Sequence, residues 1–161
     1  MVKIQGKVWK FGDNVDTDQI IPAERLVSTN LTHLNDFIFE KVRPEVAQGV
    51  RKGDILVAGK NFGSGSSREH APLSLIQAGF SCIVAESFAR IFYRNSMNIG
   101  LLLVECKVDA KEGDVIEINT DSGKIVNQNS KIEYTFQKYP PFITQLIESG
   151  GLINLIKEGK F

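Results

Sequence analysis

Cysteine is scarce: Cys82 and Cys106 are the only two in 161 residues. One such pair gives no disulfide framework. Both lie in or beside apolar strand-like runs, so each reads as a reduced core residue. An excess of charge is lacking as well. Nineteen Lys and Arg balance nineteen Asp and Glu, and a pI near 6.7 removes the electrostatic case for nucleic acid or an anionic membrane surface. No apolar run approaches the roughly 20 residues of a membrane span. The opening Met1-Val2-Lys3-Ile4-Gln5-Gly6 has no apolar signal-peptide core, so a cytoplasmic protein is expected. Internal repeats and low-complexity tracts are also missing. With 42% hydrophobic and 24% charged residues, what remains is one domain over residues 1–161, long enough to bury a core.

The rest of the chain is organised around Gly59-Lys60-Asn61-Phe62-Gly63-Ser64-Gly65-Ser66-Ser67-Arg68-Glu69-His70-Ala71-Pro72. This stretch follows a strand-like run, Asp54 to Ala58, and precedes a helix-like one, Leu73 to Ala78. A strand that ends in glycines and serines before a helix presents free backbone N–H groups. With the positive end of the helix dipole, these suit an anion. Gly63 and Gly65, lacking Cβ, allow a sharp turn and close approach to a ligand. Arg68 adds a planar fork for a carboxylate or phosphate. Ser66-Ser67-Arg68-Glu69 also has the form of a capping box. Pro72 would then fall inside the helix, so a later start is expected, with Ser66 and Ser67 left on the loop. Neither the Gly-Lys-Ser/Thr ending of a P-loop nor the third glycine of a dinucleotide loop is present.

Around this centre Val2 to Trp9 alternates as a strand, and Phe11 to Thr17 has turn chemistry. Asn14, Asp16 and Asp18 alternate, but the Gly and distal Glu of a calcium loop are missing. Leu34, Phe37, Ile38 and Val42 recur at helical spacing before Pro44 interrupts. Gly53 to Ala58, the helix stopped by Gly79, and Ser81 to Ala85 read as one βαβ unit with parallel strands. Glu86 to Gly100 is expected to be one helix, with Phe88, Ile91 and Phe92 on the core side and Arg90 and Arg94 one turn apart. Leu101 to Glu105 is another buried strand. Val115 to Asn119, Lys124 to Val126 and Lys131 to Phe136 then read as a β-meander. Pro140-Pro141 open a helix through Ile147, and Gly150-Gly151 separate it from Leu152 to Lys157.

Gly65-Ser66-Ser67-Arg68-Glu69-His70-Ala71 resembles the signature of the swivelling domain of the aconitase superfamily. Asp16-Thr17-Asp18-Gln19-Ile20-Ile21 and Glu86-Ser87-Phe88-Ala89-Arg90-Ile91-Phe92-Tyr93-Arg94-Asn95 match the same family, in the same order. A chain of this length with all three is most similar to the isopropylmalate isomerase small-subunit family. The resemblance implies an α/β fold: a swivelling β/β/α domain with a mainly parallel central sheet, flanking helices and a C-terminal β-meander. It also implies a hydro-lyase of leucine biosynthesis that dehydrates and rehydrates the hydroxy-diacid 2-isopropylmalate, active only with a large subunit.

By motif match, Ser66 is the base, Arg68 binds a substrate carboxylate, and Ser67 hydrogen-bonds it. Gly63 and Gly65 shape the loop, His70 braces it, and Asp18 orients groups at the edge of the cleft. Leu26 and Val27 align with the segment that meets the substrate's variable substituent. An apolar Val27 suits an isopropyl group, because desolvating a carboxylate against it is costly. Homoaconitate-, methylcitrate- and dimethylmalate-type acids are the alternative substrates. Two departures from the family stand out: Ser64 occupies a place where many relatives have cysteine, and Arg25 one where an aromatic is common. In the family a [4Fe-4S] cluster with one open iron takes the departing hydroxyl. Two cysteines are one fewer than such a cluster needs, so it is expected on the partner large subunit and not on this chain. Apolar surface kept for that partner would let the isolated chain self-associate. The reading from a different class is a non-enzymatic module that holds a dicarboxylate or phosphate on the same loop. Binding alone has no use for the Ser66 base.

Overall fold

A computed structural model describes residues 3–28, 31–66 and 68–159. Four strands, β1 (Lys3–Lys10), β2 (Ile55–Ala58), β3 (Cys82–Ala85) and β4 (Leu102–Glu105), pair in parallel. Three more, β5 (Val115–Asn119), β6 (Lys124–Asn127) and β7 (Glu133–Thr135), continue from β1 as an antiparallel meander. The order across the sheet is β4-β3-β2-β1-β5-β6-β7. Every residue of β2 and β3 is buried, as their unbroken apolar sequences require of strands covered on both faces. β5 instead alternates half-buried and buried positions, the period-2 pattern of a sheet with one wet face.

Two apolar layers sandwich the parallel strands. Leu56, Ile83 and Leu103 point to one face, where they meet Ile20, Phe39, Phe62, Leu75, Phe92 and Leu146 from the helical side. Ile55, Val57, Val84 and Val104 point to the other, where the meander curls over them with Ile116, Ile118, Ile125 and Phe136. The result is the meander, parallel-sheet and helix layering of a β/β/α domain. Asp54 pins the entry to β2. It is 7% exposed and accepts hydrogen bonds from Trp9 Nε1 at 2.8 Å and from the Arg51 amide at 2.9 Å.

The helical side holds α1 (Thr17–Ile20), α2 (Arg25–Ser28), a 3-10 stretch (Leu31–Phe37) with a kink at His33, α3 (Glu45–Gly49), α4 (His70–Ala78), α5 (Arg90–Asn98), α6 (Pro141–Glu148) and α7 (Leu152–Lys157). Several boundaries differ from the sequence expectation. α4 begins at His70 rather than Leu73. Pro72 is then the third helical residue, where its missing N–H is one of the unpaired first-turn donors and costs no helical bond. Gly79 ends the helix at φ 112°, as expected. Glu86 to Ala89 is not helical: Phe62 and Phe88 form a parallel bridge, and the bonds Phe62 N–H to Ser87 O and Ala89 N–H to Phe62 O hold the segment extended. Ile91 is exposed rather than part of the core stripe, since Phe92 beside it takes the inward direction.

Candidate active site

The loop after β2 does not leave the sheet freely. Its backbone extends the parallel ladder beyond the strand ends, between the segment after β1 and the segment after β3. The Asn14 amide donates to Lys60 O, Gly63 to Val15 O at 2.7 Å, and Thr17 to Ser64 O at 2.8 Å. Asp16 and Ser64 form a second parallel bridge. Asp13 Oδ1 accepts from the Lys60 amide at 2.8 Å. These contacts carry the loop to its turn with little freedom left.

Two glycines make the turn possible. Gly63 has φ 86°, and a Cβ there would lie 2.2 Å from Phe92 Cγ. Gly65 has φ 100° and faces Thr17 Oγ1, 3.2 Å from where its Cβ would be. L side chains are disfavoured at such φ values, and at Gly63 no room exists either. Phe62, fully buried, anchors the loop in an aromatic group, edge-on to both Phe88 and Phe92.

Ser66 emerges exposed at the tip of the turn. The capping box that its neighbourhood suggested does not form there. Glu69 precedes α4 without a side-chain cap, and the capping box belongs to α1 instead. Asp16 accepts from the Gln19 amide at 2.8 Å, and the Gln19 side chain accepts from the Asp16 amide at 3.1 Å. That box presents Thr17 to the loop. Thr17 Oγ1 lies 3.2 Å from Ser66 Oγ, and Thr17 is only 2% exposed.

Arg68 follows Ser66 by two residues. Its Nη1 is buried and has no hydrogen-bond partner among the described residues; the nearest carboxylate oxygen, Asp18 Oδ1, is 4.0 Å away. The Asp18 carboxyl is already engaged. Oδ1 accepts from the Ala23 amide at 3.0 Å, and Oδ2 lies 3.4 Å from Lys41 Nζ. The Ala23 N–H, then Lys41 and Arg68, hold this carboxyl below the usual aspartate range. Lys41 also pairs with Glu24 at 3.0 Å, and its ammonium titrates higher than an ordinary lysine, chiefly through Glu24. Asp18 thus meets two cations: Lys41 hydrogen-bonds to it, whereas Arg68 Nη1, at 4.0 Å, does not. His70 Nδ1 is likewise buried without a partner among the described residues.

Of the residues singled out from the sequence, Asp18, Gly63, Gly65, Ser66, Arg68 and His70 gather at this loop. Ser67 lies outside the described residues. Leu26 is half-buried against the helical-side core, on α2. Val27 shares that helix, but its side chain lies outside what is described. Arg25 is accounted for: it pairs with Glu40 at 3.0 Å and stacks over the Phe37 ring, 4.1 Å to the centroid. Arg90 and Arg94 line a cleft between α5 and α6 with Phe142 and Ile143, rather than the Ser66 loop. Thr17, Lys41 and Glu24 were not anticipated. The Thr17 hydroxyl reaches Ser66 across 49 positions of sequence, a distance no local pattern reports.

The thiols do not fit a cluster. Cys82 is buried between sheet and meander, and burial raises its pKa. Cys106 Sγ rests on Thr135 O. Neither approaches α4 or the loop before it, which belong to the opposite layer. Among the described residues no three His, Cys, Asp or Glu side chains are grouped to hold a metal.

A short glycine-serine loop, tied into a β/β/α domain and ending in an arginine with an unspent buried donor, defines a swivelling domain of the aconitase type. In agreement, a model of the aconitase C-terminal domain matches residues 45–109. The chain is 52% identical over 161 residues to the 3-isopropylmalate dehydratase small subunit of Halothermothrix orenii, with 98% of each chain covered. It is 51% identical to the isopropylmalate/citramalate isomerase small subunit of Methanocaldococcus jannaschii, covering 96% of this chain and 94% of that one. It is 52% identical to the methanogen homoaconitase small subunit of Methanothermobacter thermautotrophicus, covering 94% and 89%. A crystal structure of 3-isopropylmalate dehydratase from Methanocaldococcus jannaschii superposes with a TM-score of 0.93 at 38% identity, over 99% of this chain and 96% of that one. The chain belongs to the 3-isopropylmalate dehydratase small-subunit family.

Proposed function

We propose that this chain is the small subunit of a 3-isopropylmalate dehydratase, a hydro-lyase that converts 2-isopropylmalate to 3-isopropylmalate in leucine biosynthesis by removing and re-adding water. The observation that carries the site assignment is Arg68 Nη1, two residues beyond Ser66 in the chain, buried with no partner among the described residues. An unpaired buried guanidinium donor is costly unless a ligand satisfies it. A substrate carboxylate does so, and it brings the carbon next to it within reach of Ser66.

Ser66 takes the proton from that carbon. A free serine hydroxyl is a weak base, so its oxygen has to be held as an anion by fixed donors in a site closed to water. The loop amides, the start of α4 and the Arg68 charge, two residues along the chain, supply those donors in this reading. Asp18, already bonded to Ala23 and Lys41, keeps Arg68 close by Coulomb attraction while leaving Nη1 free for the ligand. His70 braces the start of α4, and Ser67, by motif match, hydrogen-bonds the substrate carboxylate. A [4Fe-4S] cluster on the large subunit supplies the Lewis acid for the departing hydroxyl; Cys82 and Cys106 take no part. The large subunit closes the cleft over the exposed Ser66, and the reaction belongs to the complex in the cytoplasm.

Relatives that act on isopropylmalate and on homoaconitate share almost the same identity with this chain, so overall similarity does not choose the substrate. In the sequence, the apolar Leu26 and Val27 favour isopropylmalate, because desolvating a carboxylate against apolar side chains is costly.

The test is an anaerobic hydratase assay with a cluster-loaded large subunit, with and without this chain, on isopropylmalate, homoaconitate-type and citramalate-type acids. Turnover of isopropylmalate that needs both chains, and that Ser66→Ala abolishes at nearly unchanged substrate affinity, is expected. Turnover of only a tricarboxylic acid would refute the substrate reading. Substrate binding without turnover under any pairing would leave a dicarboxylate-binding module.

A further inference from the structure

We propose that Thr17 is the positioning residue for Ser66: its buried hydroxyl fixes the direction of Ser66 Oγ and stabilises the anion that abstracts the proton. The inference rests on Ser66 being the base. Three observations support it. The two oxygens are 3.2 Å apart. Thr17 is 2% exposed while Ser66 is exposed, so water does not compete for the Thr17 hydroxyl. The Thr17 backbone is itself bonded to the loop, N–H to Ser64 O at 2.8 Å, and sits in the first turn of α1, whose capping box fixes it.

A hydroxyl pair can donate in either direction while both are neutral. Once Ser66 carries the negative charge, only one direction remains, and Thr17 O–H must donate. No packing change accompanies the switch, because the Thr17 proton swings about its own C–O bond. The donor is therefore in place before charge develops, which is the condition under which such bonds act most strongly. Thr17 keeps its proton throughout and does not touch substrate. Arg68 lies two residues beyond Ser66 and Asp18 one beyond Thr17, so both charged groups adjoin the pair along the chain. Arg68 binds the substrate, whereas Thr17 acts on the base alone.

The experiment uses the complex with the large subunit and compares Thr17→Val, which keeps the shape, with Thr17→Ser, which keeps the hydroxyl. Thr17→Val is expected to lower kcat about 10- to 100-fold, the loss of one bond to a charged oxygen. KM should stay within about twofold. The acidic limb of the kcat–pH profile should move up by about one unit, because without the Thr17 donor Ser66 is harder to ionise. Thr17→Ser should restore the rate and the profile. Thr17→Ala is assayed by the same criteria if the valine variant does not fold. A valine or alanine variant with wild-type kcat and profile would overturn the proposal. Equal loss in Thr17→Ser and Thr17→Val would do so too, since packing would then be responsible. Ser66→Ala with undiminished turnover would instead remove the base assignment beneath it, whatever the Thr17 variants show.

Discussion

Gly63→Ala tests whether the loop's shape is forced by its surroundings. Alanine at φ 86° is disfavoured by about 1–2 kcal/mol. Its Cβ would also lie 2.2 Å from Cγ, 2.5 Å from Cβ and 2.6 Å from Cδ1 of Phe92. That ring is packed against Phe62 at a centroid distance of 5.4 Å and cannot simply swing away, so overpacking adds about 1–3 kcal/mol. The combined loss is about 2–5 kcal/mol, a large share of the ~5–15 kcal/mol that holds a typical domain folded. Urea unfolding at constant slope should show it as a lower midpoint. Phe92→Ala alone should cost about 3–5 kcal/mol as a cavity. In the double variant the clash is gone, so the two losses should fall short of additivity by about 0.5–3 kcal/mol. Because the turn also sets Ser66 and Arg68, turnover in the complex should fall with the midpoint. A Gly63→Ala protein within about 0.5 kcal/mol of wild type would refute the reasoning. So would strict additivity with Phe92→Ala, since the ring would not then be the obstacle.

Two further outcomes are expected. Asp54→Ala removes the acceptor for the Trp9 indole and the Arg51 amide, and should cost about 1.5–3 kcal/mol in urea unfolding, with the loop after β2 unaffected in spectroscopic probes of the far end. Asp18 titrates below its ordinary value, so its contribution to stability is full above that value and is lost as pH falls through the lower folded one. Thermal melts taken down through that acid range should fall more steeply for wild type than for Asp18→Asn, which keeps the acceptor for Ala23 but not the charge; parallel curves would refute the assignment.

Much of the fold was readable because it is written locally. The apolar runs of β2 and β3, the Gly79 stop of α4 and the turn residues between β5, β6 and β7 are each signals within a few positions. The errors fell where distant contacts decide. Glu86 to Ala89 has helical spacing, but Phe62 captures its backbone in a bridge, so α5 starts only at Arg90. Pro72 correctly argued against a capping box at Ser66 to Glu69, but the box that Asp16 and Gln19 build at α1 was not anticipated. The candidate site was legible where a residue type carries the chemistry, as with Arg68 and the loop glycines. Thr17 and Lys41 were not, since a threonine or a lysine gains meaning there only from partners distant in sequence.

β1 lies where the sheet changes from parallel to antiparallel pairing, with β2 along one edge and β5 along the other. Lys3 pairs with Asn119 and Lys7 with Val115. A growing chain can therefore assemble β1 to β4 once Glu105 has left the ribosome, but it then carries an open β1 edge until the meander follows. Open strand edges invite pairing with other chains, and long-range pairing is slow to close them. Lys3 and Lys7 remain exposed on that strand, and lysine is the residue that edge strands use to discourage such contacts. In the finished protein β1 is an interior strand with no edge to defend. There its lysines serve the faces instead: Lys3 pairs with Glu117 at 3.5 Å, and the Lys7 ammonium lies over the Trp9 ring.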